Sequence, residues 1–260
     1  MTEQTEETAQ SDPVLDLGGV TKTFRSGWGR GRTTLTAMDD VTFSVHVGET
    51  VGLVGESGSG KSTTGLVSLG LVAPTSGVVR FSGAPYGKPR TRVGQIQAVM
   101  QNPHWSLNPR LRVTDSIAEP IATVERNRLQ DHGSTVTAML EQVGLDESFA
   151  GRYPHELSGG QRQRVAIARA LVTHPRFIVF DEAVSALDVS VQAQILNLIG
   201  DLQSEHRFGA LFISHDLAAV RYIAHRVAVM RAGSIVELAD TRRFYERPEH
   251  EYSRQLLEAL

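Results

Sequence analysis

Apolar and polar positions change their period several times along the chain, and each change predicts an element. Phe177-Ile178-Val179-Phe180 sets four apolar residues in a row after Pro175, which predicts a strand covered on both faces, as in a parallel sheet. Leu211-Phe212-Ile213 repeats the pattern after a predicted helix from Val191 to Leu202. Thr50 to Val54 is a compact apolar strand leading into Gly55, and a helical pattern follows Lys61 through Leu71, ended near Pro74 to Gly77. Ile96 to Met100 reads as another strand. Between Asn102 and Leu157 the spacing turns helical, an insertion whose Val136, Met139, Leu140 and Val143 fall at i, i+3, i+4 and i+7. Ser134 is the predicted N-cap there and Gly144 the stop. After Gly160 a long helix carries Val165, Ala168, Leu171 and Val172 on one side. Strands alternating with helices define an α/β class. Residues 14 to 54 hold short β-rich runs around the glycine-rich stretch Arg25 to Arg32, read as a solvated loop in preference to an RNA-contacting patch.

Composition narrows this picture. The 260 residues suit one large domain, or one domain with a subdomain, and 40% hydrophobic content supports a full core. A net charge of -3, from 26 basic and 29 acidic residues, is unlike a basic nucleic-acid binder, so no nucleic-acid partner is expected. With no cysteine, disulfides and thiolate metal sites are excluded. The first twelve residues carry Glu3, Glu6, Glu7 and Asp12 without Lys or Arg. That is the reverse of a signal peptide, so residues 1–12 are expected to be a disordered acidic tail and 13–260 the domain. No stretch approaches the roughly 18 apolar residues of a membrane span, and the chain is not expected to cross a membrane by itself.

Gly55-Glu56-Ser57-Gly58-Ser59-Gly60-Lys61-Ser62, with Thr63 after it, matches G-x-x-x-x-G-K-[ST] between a predicted strand and helix. Glycines let the backbone wrap phosphates with its N–H groups pointing inward, and the helix adds its positive end. In such a loop Lys61 reaches the β- and γ-phosphates of ATP, and the Ser62 hydroxyl ligates Mg2+.

Asp181 and Glu182 follow the strand Phe177 to Phe180, at the carboxyl end where α/β sheets bind ligands. Asp181 is placed to hold magnesium, and Glu182 to polarise the attacking water as general base. His215 stands in the same way after Leu211 to Ser214 and is a candidate γ-phosphate sensor. Gln101 ends the strand from Ile96, where an amide can touch magnesium and the water.

Leu157-Ser158-Gly159-Gly160-Gln161 precedes the helix from Arg162 to His174. Its hydroxyl and open N–H groups form a second phosphate cradle. Taken alone the stretch reads as a glycine-rich helix start; as a second cradle it would face nucleotide held by another subunit, so that two copies sandwich two ATP molecules.

The ordered set Gly55 to Ser62, Gln101, Leu157 to Gln161, Phe177 to Glu182, Ser185-Ala-Leu-Asp188 and His215 resembles the ABC ATPase family, from about Val14 to the C-terminus. The resemblance implies a P-loop NTPase (RecA-like) core with an antiparallel β subdomain and a helical subdomain at about 102–160. It also implies head-to-tail dimerisation. By carry-over Phe24 stacks on adenine, in place of the usual tyrosine and in preference to Trp28, and Asp188 links the two sites.

Ser106-Leu-Asn-Pro-Arg110, Ala186 to Gln194 and His250-Glu-Tyr-Ser-Arg-Gln-Leu256 resemble the oligopeptide, dipeptide and nickel importer group. Ala183 stands where proline is usual after the glutamate, and Asn102 where an acidic residue is common. Many relatives continue into a cysteine-bearing tail; this sequence contains no cysteine, so no iron–sulfur regulation is expected. The partners implied are a second ABC ATPase subunit, identical or a sister chain, and transmembrane permease subunits. The face around Gln101 to Arg110 is the candidate docking surface for the permease. An extracytoplasmic substrate-binding protein is engaged indirectly, and the expected place is the cytoplasmic face of the cell membrane. The rival readings are a soluble ABC ATPase of DNA repair or translation, and a regulatory nucleotide-binding module. The first would carry coiled-coil insertions or a second cassette, and the second would tend to lose residues such as Glu182 and His215.

Overall fold

A computed structural model describes residues 13–26, 33–87, 92–100 and 107–258. The acidic tail, the glycine-rich stretch from 27 to 32 with Trp28, and Gln101, Asn102 and Ser106 lie outside these residues. In chain order the elements begin with β1 (Leu15–Ser26), β2 (Thr33–Val45), β3 (Thr50–Val54), α1 (Lys61–Ser68), β4 (Ser76–Phe81), β5 (Ala84–Pro85) and β6 (Ile96–Val99). Helices α2 (Val113–Glu125), α3 (Gly133–Gln142) and α4 (Gly159–Leu171) follow. The remainder is β7 (Phe177–Asp181), α5 (Val189–His206), β8 (Gly209–Ile213), α6 (Leu217–Ile223), β9 (Arg226–Arg231), β10 (Ser234–Asp240), α7 (Thr241–Glu246) and α8 (Glu251–Glu258).

Among the described residues the strands form two sheets. One runs β10-β9-β3-β8-β7-β6, parallel throughout except for the edge pair β10–β9. The other, β2-β1-β4-β5, is antiparallel. Alternation along the parallel strands sorts their side chains into two layers. Phe177 and Val179, Leu211 and Ile213, and Ala228 and Met230 pack with Leu15, Leu17 and Val20 of β1. Ile178 and Phe180, Ala210 and Phe212, and Val227 and Val229 pack with the helices, including Val165 and Ile195. A strand buried on both faces has no polar positions to spare, which is why these segments read as unbroken apolar runs.

The helical boundaries differ from the predicted ones where a cap intervenes. Helix α3 starts at Gly133 behind His132, so Ser134 lies in its first turn and is not the N-cap. The 3-10 turn Leu129–His132, opened by a reciprocal Arg128–Asp131 cap, runs directly into the helix. Val136, Met139, Leu140 and Val143 are buried, and Gly144 follows at φ 70°. Helix α1 stops at Ser68, short of Leu71, with Gly70 left-handed at φ 69°. Helix α5 begins at Val189 because Asp188 caps it, and it runs on to His206. Among the described residues no helix is long and apolar enough to cross a membrane.

Candidate functional site

The loop from Gly55 to Gly60 is threaded through a gap that only glycine fits at its two ends. Gly55 has φ 148°, and a Cβ there would stand 2.1 Å from the Met230 carbonyl oxygen at the end of β9. Gly60, at φ 111°, would place a Cβ 2.1 Å from the Ala37 carbonyl oxygen of β2. Gly233 N–H donates to the Ser59 carbonyl at 2.9 Å, holding the loop to the β9–β10 turn. Gly58, at φ 81°, has nothing within 4 Å of its missing Cβ. Inside the loop the Lys61 ammonium donates to the carbonyls of Gly55 and Glu56, both at 2.7 Å.

Strand β7 ends at Asp181, and Glu182 turns the chain at φ 47°. A side chain in the left-handed region is uncommon, and such strain gathers at functional sites. Glu182 N–H donates to the Ile213 carbonyl at 2.9 Å, so the two strand ends are tied together. His215, two residues past β8, brings its Nδ1 to 3.3 Å from Glu182 Oε1.

These elements enclose a cavity of about 490 Å³. Ser57, Gly58, Gly60, Lys61, Ser62 and Thr63 form one wall, Glu182 and His215 another, and Leu35, Thr36 and Ala37 of β2 a third. A second cavity of about 420 Å³, lined by Gly48, Asn197, Asp201 and Arg207 among others, opens at the amino-terminal end of the strands and contains no phosphate-loop residue. Ligands of α/β sheets bind at the carboxyl ends, so the first cavity is the candidate site.

Its electrostatics favour a bound cation beside a bound phosphate. Burial pulls the Lys61 ammonium below its ordinary pKa, against the opposing charges of Glu182, Asp181 and Glu56. Burial pushes the Asp181 carboxyl up, the charge of Glu182 adds to the rise, and Lys61 opposes it. Two crowded carboxylates with one nearby ammonium gain from a further positive charge. Among the described residues no group of three or more His, Asp or Glu side chains could hold a metal by itself. The Ser62 hydroxyl lines the cavity; the Asp181 carboxylate does not, but it stands near enough to Lys61 and Glu182 to feel their charge, and both are hard oxygen ligands of the kind Mg2+ takes together with phosphate oxygens and water.

The predicted second cradle stands apart from this cavity. Ser158 is the N-cap of α4: its Oγ accepts from Gln161 N–H at 3.2 Å, and Gln161 Oε1 accepts from Ser158 N–H at 2.9 Å. Leu157 is buried, and a Cβ on Gly160 would come 2.6 Å from Val191 Cγ1, so the start of α4 presses on that of α5. There Asp188 accepts from Val191 N–H at 3.0 Å. None of Leu157 to Gln161 lines the phosphate-loop cavity. Phe24 is 41% exposed and pairs in register with Leu35, beside the cavity wall and not on it. Gln101 lies outside the described residues.

The ABC transporter family profile matches residues 38–185, from β2 through the turn that follows Glu182. The chain belongs to the ABC transporter family. The cassette is 47% identical over 240 residues to the oligopeptide transport ATP-binding protein OppF of Bacillus subtilis (strain 168), covering 88% of this chain and 77% of that one. It is 46% identical over 260 residues to the glutathione import ATP-binding protein GsiA of Pectobacterium atrosepticum, covering 97% of this chain and 42% of the relative. A dimeric ATP-binding cassette solved in a post-hydrolysis state with ADP and Pi superimposes with a TM-score of 0.76 at 29% identity, covering 88% of this chain and 99% of that one.

Two features of the cassette's site escape a reading of motifs. Leu35, Thr36 and Ala37 are apolar or neutral residues of β2 with no chemistry of their own, yet they close one side of the cavity. Tyr252 of α8 accepts the Glu56 N–H on its hydroxyl at 3.1 Å, across 196 positions of sequence. The motif containing Tyr252 is visible in the sequence, but its contact with the phosphate loop has no local signal.

Proposed function

We propose that this ABC cassette binds ATP with magnesium at Gly55 to Thr63, hydrolyses it between two cassettes, and energises import of peptides through permease subunits. A single chain gathers the phosphate loop, Glu182 and His215 around one cavity, while Ser158 to Gln161 lie elsewhere, which supports a site completed by a second cassette. A phosphate cradle that does not face its own chain's nucleotide is free to face a partner's.

The loop amides and Lys61 hold the triphosphate, and Phe24 stacks on the adenine. Ser62, Asp181 and Gln101 are the residues that would hold magnesium, which would offset the negative charge of the phosphate oxygens and the carboxylates. Glu182 accepts a proton from the attacking water, and His215, 3.3 Å away, is placed to stabilise charge on the γ-phosphate. Ser158 to Gln161 of the partner cassette complete the site, and Asp188, at the start of the helix that α4 packs on, links one site to the other. A helical subdomain over about 102–160 would carry the cradle as the two copies close.

The peptide cargo is supported by relatives named for oligopeptide transport and glutathione import, glutathione being itself a short peptide. Attachment to the cytoplasmic face of the membrane through permease subunits follows from the same reading, with the extracytoplasmic binding protein engaged indirectly. Purification of the tagged cassette from membranes tests this. Permease subunits with a peptide-binding protein should co-purify, and the preparation should show Mg2+-dependent ATP hydrolysis that Lys61→Ala abolishes. Recovery of only ribosomes or DNA would refute the transporter assignment.

A further inference from the structure

The Gly55–Glu56 peptide is gripped from both sides. Its carbonyl accepts from the Lys61 ammonium at 2.7 Å, and its amide N–H donates to the Tyr252 hydroxyl at 3.1 Å. In a trans peptide these two groups point in opposite directions, so the two bonds oppose rotation of the same plane. Gly55 has no side chain to restrict that rotation, which leaves the work to Lys61 on one face and Tyr252 on the other.

Tyr252 is itself held firmly. It is 3% exposed, and the Arg231 guanidinium at the end of β9 lies 4.7 Å from its ring centroid. Its N–H donates to His250 Nδ1 at 3.1 Å. The chain leading into α8 is pinned by a carboxylate: Glu237 of β10 accepts from Glu249 N–H at 2.9 Å and from His250 N–H at 3.0 Å. A buried tyrosine hydroxyl usually finds some partner. Here the partner is the peptide whose other end seats the phosphate-loop lysine.

We propose that Tyr252 is a positioning residue for nucleotide binding, fixing through the Gly55–Glu56 peptide the carbonyl that seats Lys61 and coupling α8 to the phosphate loop. The inference rests on the assignment of Gly55 to Ser62 as the ATP cradle. It gives the C-terminal helix a part in nucleotide affinity, with Glu237 acting through Tyr252.

Tyr252→Phe tests it, because the variant keeps the ring and its packing and loses only the hydroxyl. With the full chain, titration with Mg-ATP should show a Kd about three- to tenfold weaker than wild type, the loss of one neutral hydrogen bond. KM should rise in parallel while kcat stays within about twofold, the pattern of lost uniform binding, and Tm should move by no more than about 2 °C. Glu237→Gln should also weaken binding, and adding it to Tyr252→Phe should produce no further loss. Affinity for Mg-ATP equal to wild type in Tyr252→Phe would overturn the proposal and leave the ATP assignment standing. Additive losses in the double variant would overturn the route from Glu237 through Tyr252. A wild-type chain that bound no Mg-ATP would remove both readings together.

Discussion

His215 Nδ1 lies 3.3 Å from Glu182 Oε1, joining the ends of two adjacent parallel strands at the mouth of the phosphate-loop cavity. The imidazole is 62% exposed and the carboxylate 23%, so the pair faces the cavity with Glu182 as the more sheltered member. An exposed contact of this kind adds little to stability; under the proposed function it orients the two groups toward the γ-phosphate. His215→Ala should therefore lower ATP turnover by on the order of 10²-fold with little change in Tm. Nucleotide affinity should fall far less than turnover. Equal proportional losses in affinity and turnover would mean that His215 only helps to bind.

Gly58 and Gly60 separate two demands made on the loop. Gly60→Ala meets the Ala37 carbonyl at 2.1 Å and a φ of 111°, so the loop must shift. Nucleotide binding should be lost, with a stability cost of about 1–3 kcal/mol. Gly58→Ala meets open space at φ 81° and carries only the backbone penalty, about 1 kcal/mol. Thermal unfolding and ATP titration of both variants check the order, and the difference disappears if the loop's shape does not depend on the β2 wall.

Much of the fold was legible because two-sided burial leaves an unbroken apolar run, as in Phe177 to Phe180, and because the phosphate loop's spacing is chemically restrictive. Glu182 and His215 were singled out in the same way, since each follows such a run, and the fold brings both to the wall of the cavity. The long pairing of β1 with β2 was harder to see, since register shifts between Leu17 and Thr23 break the alternation. Ser134 as a cap failed because a 3-10 turn upstream had already begun the helix. The Tyr252–Glu56 bond has no local signature at all, and the role proposed for Ser158 to Gln161 requires a second chain.

Glu49 supplies a pH-dependent tie at the base of the sheet. Its carboxylate accepts from His46 N–H at 2.7 Å and from Arg226 Nη1 at 2.9 Å, fastening the turn before β3 to the start of β9. Burial pushes its pKa up, but the hydrogen bonds from His46 and the charge of Arg226 outweigh it and hold it below the ordinary 4.5. A depressed carboxyl contributes stability above its unfolded pKa and loses it as pH falls through the folded one. Glu49→Gln should thus cost about 1–3 kcal/mol at pH 7, and the gap to wild type should narrow below a pH of about 4.5. Urea unfolding at pH 7 and pH 4 measures both; a gap independent of pH would show that the charge of Glu49 contributes nothing.

If Glu182 is the base for ATP held between two cassettes, Glu182→Gln should separate binding from hydrolysis. The variant keeps the shape of the side chain and removes its ability to take a proton. Turnover and solution mass should be measured on the same sample in Mg-ATP. The variant should bind ATP tightly, hydrolyse it at least about 10²-fold more slowly, and form a stable dimer of twice the monomer mass. A variant that turned over ATP at near wild-type rate, or bound it as a monomer, would contradict that role.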